Sequence, residues 1–275
     1  MKLLKAMAIA FSIYSKIPVP QFEWKEEDME YMMCFFPWIG GVIGLFFFGW
    51  AVLCEKFAVG NVCYALIGAA IPLMISGGFH VDGYMDTMDA FHSYQSREKK
   101  LEILKDSHIG AFAAIMLALY YMIDIAAISE IHTQKAVSAL AAVFFLARCF
   151  SGIAVMTLQP AKKEGLLYTF ASSAQKVRVK AALYFQAALC VVLMLLVSGW
   201  YGAAAIGAAL LSFFYFKKKS YKELGGITGD TAGFFVTVCE AAAAAAVVFG
   251  RRGEKACNYI SEDMRRASLP MCRKN

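Results

Sequence analysis

The chain is short of charge. Asp, Glu, Lys and Arg make up 17% of its 275 residues, whereas 60% are hydrophobic. A soluble domain carries about 25% charged residues, so too few polar groups are present to cover a water-soluble body of this size. So apolar a chain is not disordered. None of the 8 cysteines stands in a CxxC pair, which excludes a zinc knuckle. They are scattered, and Cys34, Cys63, Cys149, Cys190 and Cys239 lie in apolar runs, unlike a secreted disulfide framework. No 20–50-residue repeat is present. No basic patch is interleaved with aromatics, so the net charge of +6 is no sign of nucleic-acid binding. It suits anionic lipid and anionic substrates. What fits these exclusions is a polytopic membrane protein.

About 20 apolar residues cross a bilayer as a helix. Runs of that kind occupy 33–53, 57–79, 109–129, 136–158, 181–198, 200–216 and 232–249. Trp50, Trp200, Tyr201 and Tyr215 near their ends suit interfacial belts. The segment 1–17 has no cleavage site after it but Ile17-Pro18-Val19-Pro20, and reads as an interfacial amphipathic helix with Lys2 and Lys5 at the surface. The expected fold is all-α: a polytopic integral membrane helical bundle of about seven spans with an N-terminal interfacial helix. Residues 1–249 form one membrane-embedded domain and 250–275 a basic tail.

Lys and Arg concentrate before the first span and in the loops 80–108, 159–180 and 217–230. The other side has only Lys56 and Lys135. Positive charge stays in the cytoplasm, so these loops face inward. The tail conflicts, because seven spans place its seven Lys/Arg outside. A re-entrant last span, a miscounted span and a tail that overrides the rule all stand as explanations.

The most informative stretch is Gly77-Gly78-Phe79-His80-Val81-Asp82-Gly83-Tyr84-Met85-Asp86-Thr87-Met88-Asp89. Asp82, Asp86 and Asp89 fall within about 60° of one helical face. Tyr84, Met85 and Met88 separate them, so this is no mixed-sign solvated surface. Like charges at such spacing cost about 0.2–0.5 kcal/mol a pair in water, and more at a membrane boundary. A divalent cation offsets that cost, and Mg²⁺ prefers hard carboxylate, water and phosphate oxygens. The bland alternative is a capped acidic face. His80 is either a general base or an interfacial histidine.

Lys105-Asp106-Ser107-His108-Ile109-Gly110 opens the third span. A helix start there presents N–H groups to an anion, and Asp106 or Ser107 equally serves as its cap. Arg148 lies inside the fourth span and needs a carboxylate or a phosphate, with Asp124 and Glu240 available. Gly225-Gly226-Ile227-Thr228-Gly229-Asp230-Thr231 is a glycine turn entering a helix, able to bring backbone amides close to phosphate but lacking a Walker ending. Acids, His and glycine turns on one membrane face suit metal-assisted transfer of a phosphate-linked group.

These motifs, in order with Tyr14-Ser15-Lys16-Ile17-Pro18-Val19-Pro20, resemble the cobalamin synthase family of adenosylcobinamide-GDP ribazoletransferases, over roughly residues 5–249. The resemblance implies transfer of the cobinamide-phosphate group of adenosylcobinamide-GDP to α-ribazole or its 5′-phosphate. GMP is released and adenosylcobalamin or its 5′-phosphate forms. It implies Mg²⁺, held by Asp82, Asp86 and Asp89, with His80 or one of these aspartates as the base. Asp106, Ser107, Arg148, Gly226, Thr228, Gly229 and Asp230 would seat substrate. His108 stands where the family also uses arginine. The implied setting is a bacterial or archaeal cytoplasmic membrane with an inward-facing site. Lipid is a partner, and a second copy or other corrinoid-assembly enzymes stay open.

Two rivals differ from this expectation. A CDP-alcohol phosphotransferase follows Asp-Gly with an Ala-Arg element, where this chain has Tyr84-Met85-Asp86-Thr87. A transporter would route charge through Arg148, Asp124 and Glu240, but transporters favour internal repeats and midplane sites.

Overall fold

The computed structural model describes residues 2–20, 25–162 and 165–267, with 251–267 as backbone. Its regular structure, among the described residues, is helical. Helix α1 (Lys2–Tyr14) is too short to cross a bilayer and buries Ala6, Ile9, Ala10 and Tyr14. Then come α2 (Phe36–Lys56), α3 (Asn61–Ser76), α4 (Phe79–His92), α5 (Arg97–Ile103), α6 (Ala111–Ile128) and α7 (Gln134–Thr157). The last four are α8 (Leu166–Ser173), α9 (Lys176–Ser198), α10 (Trp200–Leu224) and α11 (Gly229–Ala267).

The chain is an all-α polytopic membrane protein. Five described stretches are long and apolar enough to span: Met32–Lys56, Ala111–Ile128, Gln134–Thr157, Lys176–Ser198 and Gly229–Gly250. A sixth arises if α3 and α4, bent by 97°, are one broken span. The seven expected runs differ from these stretches in two places. The run 57–79 is not one straight helix: Gly77 and Gly78 adopt φ of +65° and +86°, a left-handed turn that glycine makes without strain. The run 200–216 is diluted by Trp, Tyr and Gly and does not stand among the five, although α10 is 25 residues long.

Small residues set the packing. Gly40 and Gly44 of α2 face α7, where a Cβ would run into the carbonyl oxygens of Phe144 and Ala141. Such small-residue faces let membrane helices approach closely. Helix α7 is the most buried span, whereas α6 and α9 expose most of their surface. Arg148 of α7 is 1% exposed and bonds Glu240 of α11 at 2.7 Å, with Phe144 O as a second acceptor at 2.8 Å. Asp124 of α6 is buried and acted on by the charge of Glu240.

The α9–α10 turn at Gly199 marks one end of the bundle. Gly250 of α11 comes back to it, where a Cβ would lie 3.1 Å from Tyr201 Cα. The last span is therefore not re-entrant, and residues beyond 250 leave at the end opposite the start of α11. The side chains of the basic tail, and residues 268–275 altogether, lie outside the described residues.

Candidate active site at the α4–α11 crossing

Glycine determines where the acids meet. A Cβ on Gly83 of α4 would lie 2.8 Å from Asp230 O and 2.9 Å from Asp230 Cα. One on Gly233 of α11 would lie 3.1 Å from His80 O. Only paired glycines allow the two helices this close. Thr237 one turn further donates to His80 O at 3.2 Å. The crossing brings Asp230 to the acidic face of α4: Asp86 is acted on by the like charges of Asp82, Asp230 and Asp89.

A cavity of about 490 Å³ opens beside the crossing. Asp82, Thr228, Gly229 and Asp230 line one part of it, with Lys105 and Lys162. Lys162 acts on Asp230 with opposite charge and donates to Leu101 O at 2.8 Å. His80, Tyr14, Phe36, Phe79 and Phe170 line another part. His80 is 4% exposed, and among the described residues neither ring nitrogen has a hydrogen-bond partner.

The start of α11 is pre-formed. Thr228 N donates to Thr231 Oγ1 at 2.8 Å, and Thr231 N donates to Thr228 Oγ1 at 3.2 Å, a reciprocal cap. Just upstream, Ile227 pairs with Pro160 in a parallel bridge: Ala161 N donates to Ile227 O at 2.8 Å and Ile227 N to Gln159 O at 3.0 Å. A Cβ on Gly226 would sit 2.6 Å from Gln159 O, so the bridge requires glycine there. Gly225 ends α10 at φ +73° against Arg97 of α5. Lys100 of α5 pairs with Glu223 of α10, which Lys219 also reaches at 3.0 Å.

Several expected site residues stand elsewhere. Asp89 points to α6, where its carboxylate accepts Gly110 N at 2.7 Å and Ala113 N at 2.9 Å. The start of α6 is therefore occupied by a protein carboxylate. Among the described residues neither Asp106 nor Ser107 caps it; Asp89 takes two of its first N–H groups. Asp106 is exposed and accepts from His108 N at 3.0 Å and pairs with its Nδ1 at 2.6 Å. That hydrogen bond holds the Asp106 carboxyl below the usual carboxylate range. Ser107 is exposed too, and Asp106, Ser107, Asp86 and Asp89 are not part of the cavity wall. Arg148 is committed to Glu240, which decides between the carboxylate and phosphate alternatives. Sequence reading missed Lys162 and the aromatic wall. Lys162 looked like one more positive-inside loop charge, and no spacing rule marks Phe36 or Phe170.

Among the described residues no group of three or more His, Cys, Asp or Glu is arranged to hold a metal. Asp82, Asp86 and Asp89 are thus not gathered as one ready-made ligand set in this structure. Asp89 has both oxygens engaged, whereas Asp82 and Asp230 interact across the crossing and both line the cavity. Two hard carboxylates beside a phosphate-sized space match the donor chemistry of Mg²⁺, which commonly takes one or two protein carboxylates and completes its shell with water and phosphate.

A family model described as cobalamin-5-phosphate synthase matches residues 6–248. An adenosylcobinamide-GDP ribazoletransferase of Lachnoclostridium phytofermentans is 44% identical over 248 residues, covering 90% of this chain and 95% of that one. Two proteins of the same name from Clostridium botulinum strains Eklund 17B and Alaska E43 are 34% and 31% identical over 242 residues, each covering 86% of this chain and 94% of its own. No solved structure matches the chain. With ordered motifs, a shared length and a family match over nearly all of its residues, the chain belongs to the cobalamin-5-phosphate synthase family.

Proposed function

We propose that this chain is an adenosylcobinamide-GDP ribazoletransferase acting at the cytoplasmic face of a cell membrane. The acceptor is α-ribazole or its 5′-phosphate. Its ribose 3′-hydroxyl attacks the cobinamide-linked phosphorus of adenosylcobinamide-GDP, the P–O bond to GMP breaks, and GMP leaves. Adenosylcobalamin, or its 5′-phosphate, is the product. The observation that carries this reading is the cavity itself, which joins His80 and Asp82 of α4, Asp230 of α11 and Lys162 of the loop after α7, three separate segments.

Each group has a task its chemistry suits. Lys162 and Lys105 offer fixed positive charge to the pyrophosphate, which weakens repulsion of the incoming hydroxyl. The N–H of Gly229 at the start of α11 adds a partial positive charge. His80 takes the proton from the acceptor hydroxyl, since a base needs a free nitrogen near neutral pH. Thr237 donates to the His80 backbone carbonyl at 3.2 Å and fixes that turn of α4 against α11. Asp82 and Asp230 would hold Mg²⁺, with Asp86 adding negative charge behind them. The ion would supply charge neutralisation at the phosphates and the departing GMP.

Support for the orientation comes from the cavity's position. Its wall contains Tyr14, Lys105, Lys162 and Thr228, so the N-terminal segment and the three Lys/Arg-rich loops gather at one end of the bundle. The positive-inside rule places that end in the cytoplasm.

The test is direct. Purified protein in lipid nanodiscs, given adenosylcobinamide-GDP and α-ribazole, is expected to release GMP and form adenosylcobalamin in equal amounts. No GMP release with correctly folded protein would overturn the reading. Removing divalent ions with EDTA is expected to stop turnover, and added Mg²⁺ to restore it. Turnover unchanged by EDTA would remove the metal from the scheme.

A further inference from the structure

The cavity has two chemically different parts, and the reaction as proposed needs only one of them for the phosphates. In the other part, aromatic rings close round one histidine. Tyr14 lies 4.5 Å from Phe36, 5.1 Å from Phe79 and 6.3 Å from Phe170, centre to centre. The His80 ring is 5.7 Å from both Phe36 and Phe79, and 6.2 Å from Tyr14 with the two planes only 15° apart. These rings come from α1, α2, α4 and α8, so four elements converge to build the pocket. Core packing alone does not account for it, because the rings border open space and His80 keeps two buried nitrogens without partners. Buried polar atoms left unmatched cost stability, and at a cavity wall a bound hydroxyl group supplies the missing partner.

We infer that this aromatic part, bounded by Tyr14, Phe36, Phe79 and Phe170 around His80, seats the planar heteroaromatic base of the acceptor nucleoside. The inference deepens the ribazoletransferase reading and rests on it. A corrin ring with its amide side chains carries many polar groups that apolar rings cannot hydrogen-bond, so the macrocycle is disfavoured in this part. Polarity separates the two bases. Guanine carries an amide N–H, an exocyclic amine and a carbonyl oxygen, and each loses water on entry. Apolar rings cannot replace those hydrogen bonds, so guanine is penalised there. A benzimidazole has no exocyclic polar group and presents two faces suited to stacking and edge contact with aromatic rings. With the base seated among the rings, the attached ribose bridges to the polar part. Its hydroxyl then lies between His80 and the phosphate-binding groups, the order that the attack requires.

Equilibrium dialysis and steady-state kinetics on the full chain in nanodiscs test this. Radiolabelled α-ribazole is expected to bind wild-type protein without the corrinoid substrate, and guanosine at equal concentration is expected not to displace it. Phe170→Ala and Phe36→Leu are expected to raise KM for α-ribazole about tenfold or more and to leave KM for adenosylcobinamide-GDP within about twofold. Phe170→Leu keeps the bulk but loses the aromatic face, and the same split is expected if the alanine variant fails to fold. Displacement by guanosine, or a rise in KM confined to adenosylcobinamide-GDP, would overturn the inference while leaving the transferase reading intact. Wild-type protein that releases no GMP is the separate result that removes the transferase reading itself.

Discussion

At one end of α4, Asp82 stands exposed on the cavity wall, opposite Asp230. Two turns along the same face, Asp89 has both oxygens bound by the backbone N–H groups that begin α6. The residue type and the face are the same, but the surroundings differ. Asp89 meets a helix start whose unpaired donors it satisfies. Asp82 meets another acid across a glycine crossing, Asp230, on which Lys162 acts with opposite charge. Periodicity places acids on a face; the neighbouring element decides whether they serve architecture or chemistry. The core repeats the lesson, since buried Arg148 finds its carboxylate within the protein, in Glu240.

The contrast is easiest to break at its reactive end. Asp82→Ala is expected to lower turnover by about 10²–10⁴-fold, the range for loss of a group acting in the transition state, with normal insertion and elution. Wild-type turnover from that variant would abolish the distinction. Gly83→Ala tests the crossing without touching an acid. Its new methyl would meet Asp230 O at 2.8 Å and force α4 from α11. A displacement of about 1 Å is expected to cost about 10²-fold in kcat.

The matched groups should respond in stability, not in chemistry. Arg148→Met strands Glu240 and is expected to cost about 3–5 kcal/mol in thermal unfolding, whereas the double variant with Glu240→Met recovers most of the loss. Equal losses in the single and double variants would show that the pair is not a unit. Asp89→Ala is expected to cost about 1–3 kcal/mol by orphaning two N–H groups, with turnover per folded molecule kept. A loss of turnover at unchanged unfolding temperature would instead place Asp89 with Asp82.

Much of this was legible in the sequence. Hydropathy locates α2, α6, α7, α9 and α11 because lipid demands long apolar helices. The motif around Asp82, and the glycine turn before Asp230, are local signals and survive as cavity walls. What hydropathy does not register is backbone handedness. Gly77 and Gly78 look like ordinary apolar-run residues, yet their positive φ breaks the expected 57–79 span and turns α4 aside. Long-range pairing is equally silent. Nothing in the spacing of Asp82, Asp86 and Asp89 says that the last reaches Gly110, or that Asp230 takes its place beside the first. The aromatic wall draws on α1, α2, α4 and α8, and no single window of sequence contains it.

The short backbone pairing between Pro160 and Ile227 has a mechanical consequence. It clips the segment carrying Lys162 to the residue just before the first turn of α11, so the cation and the Asp230 carboxylate are borne on one stiff bracket. Opposite charges mounted that way keep their spacing. On the proposed function, a bulky substrate can then shift outside the cavity without dragging either charge out of alignment.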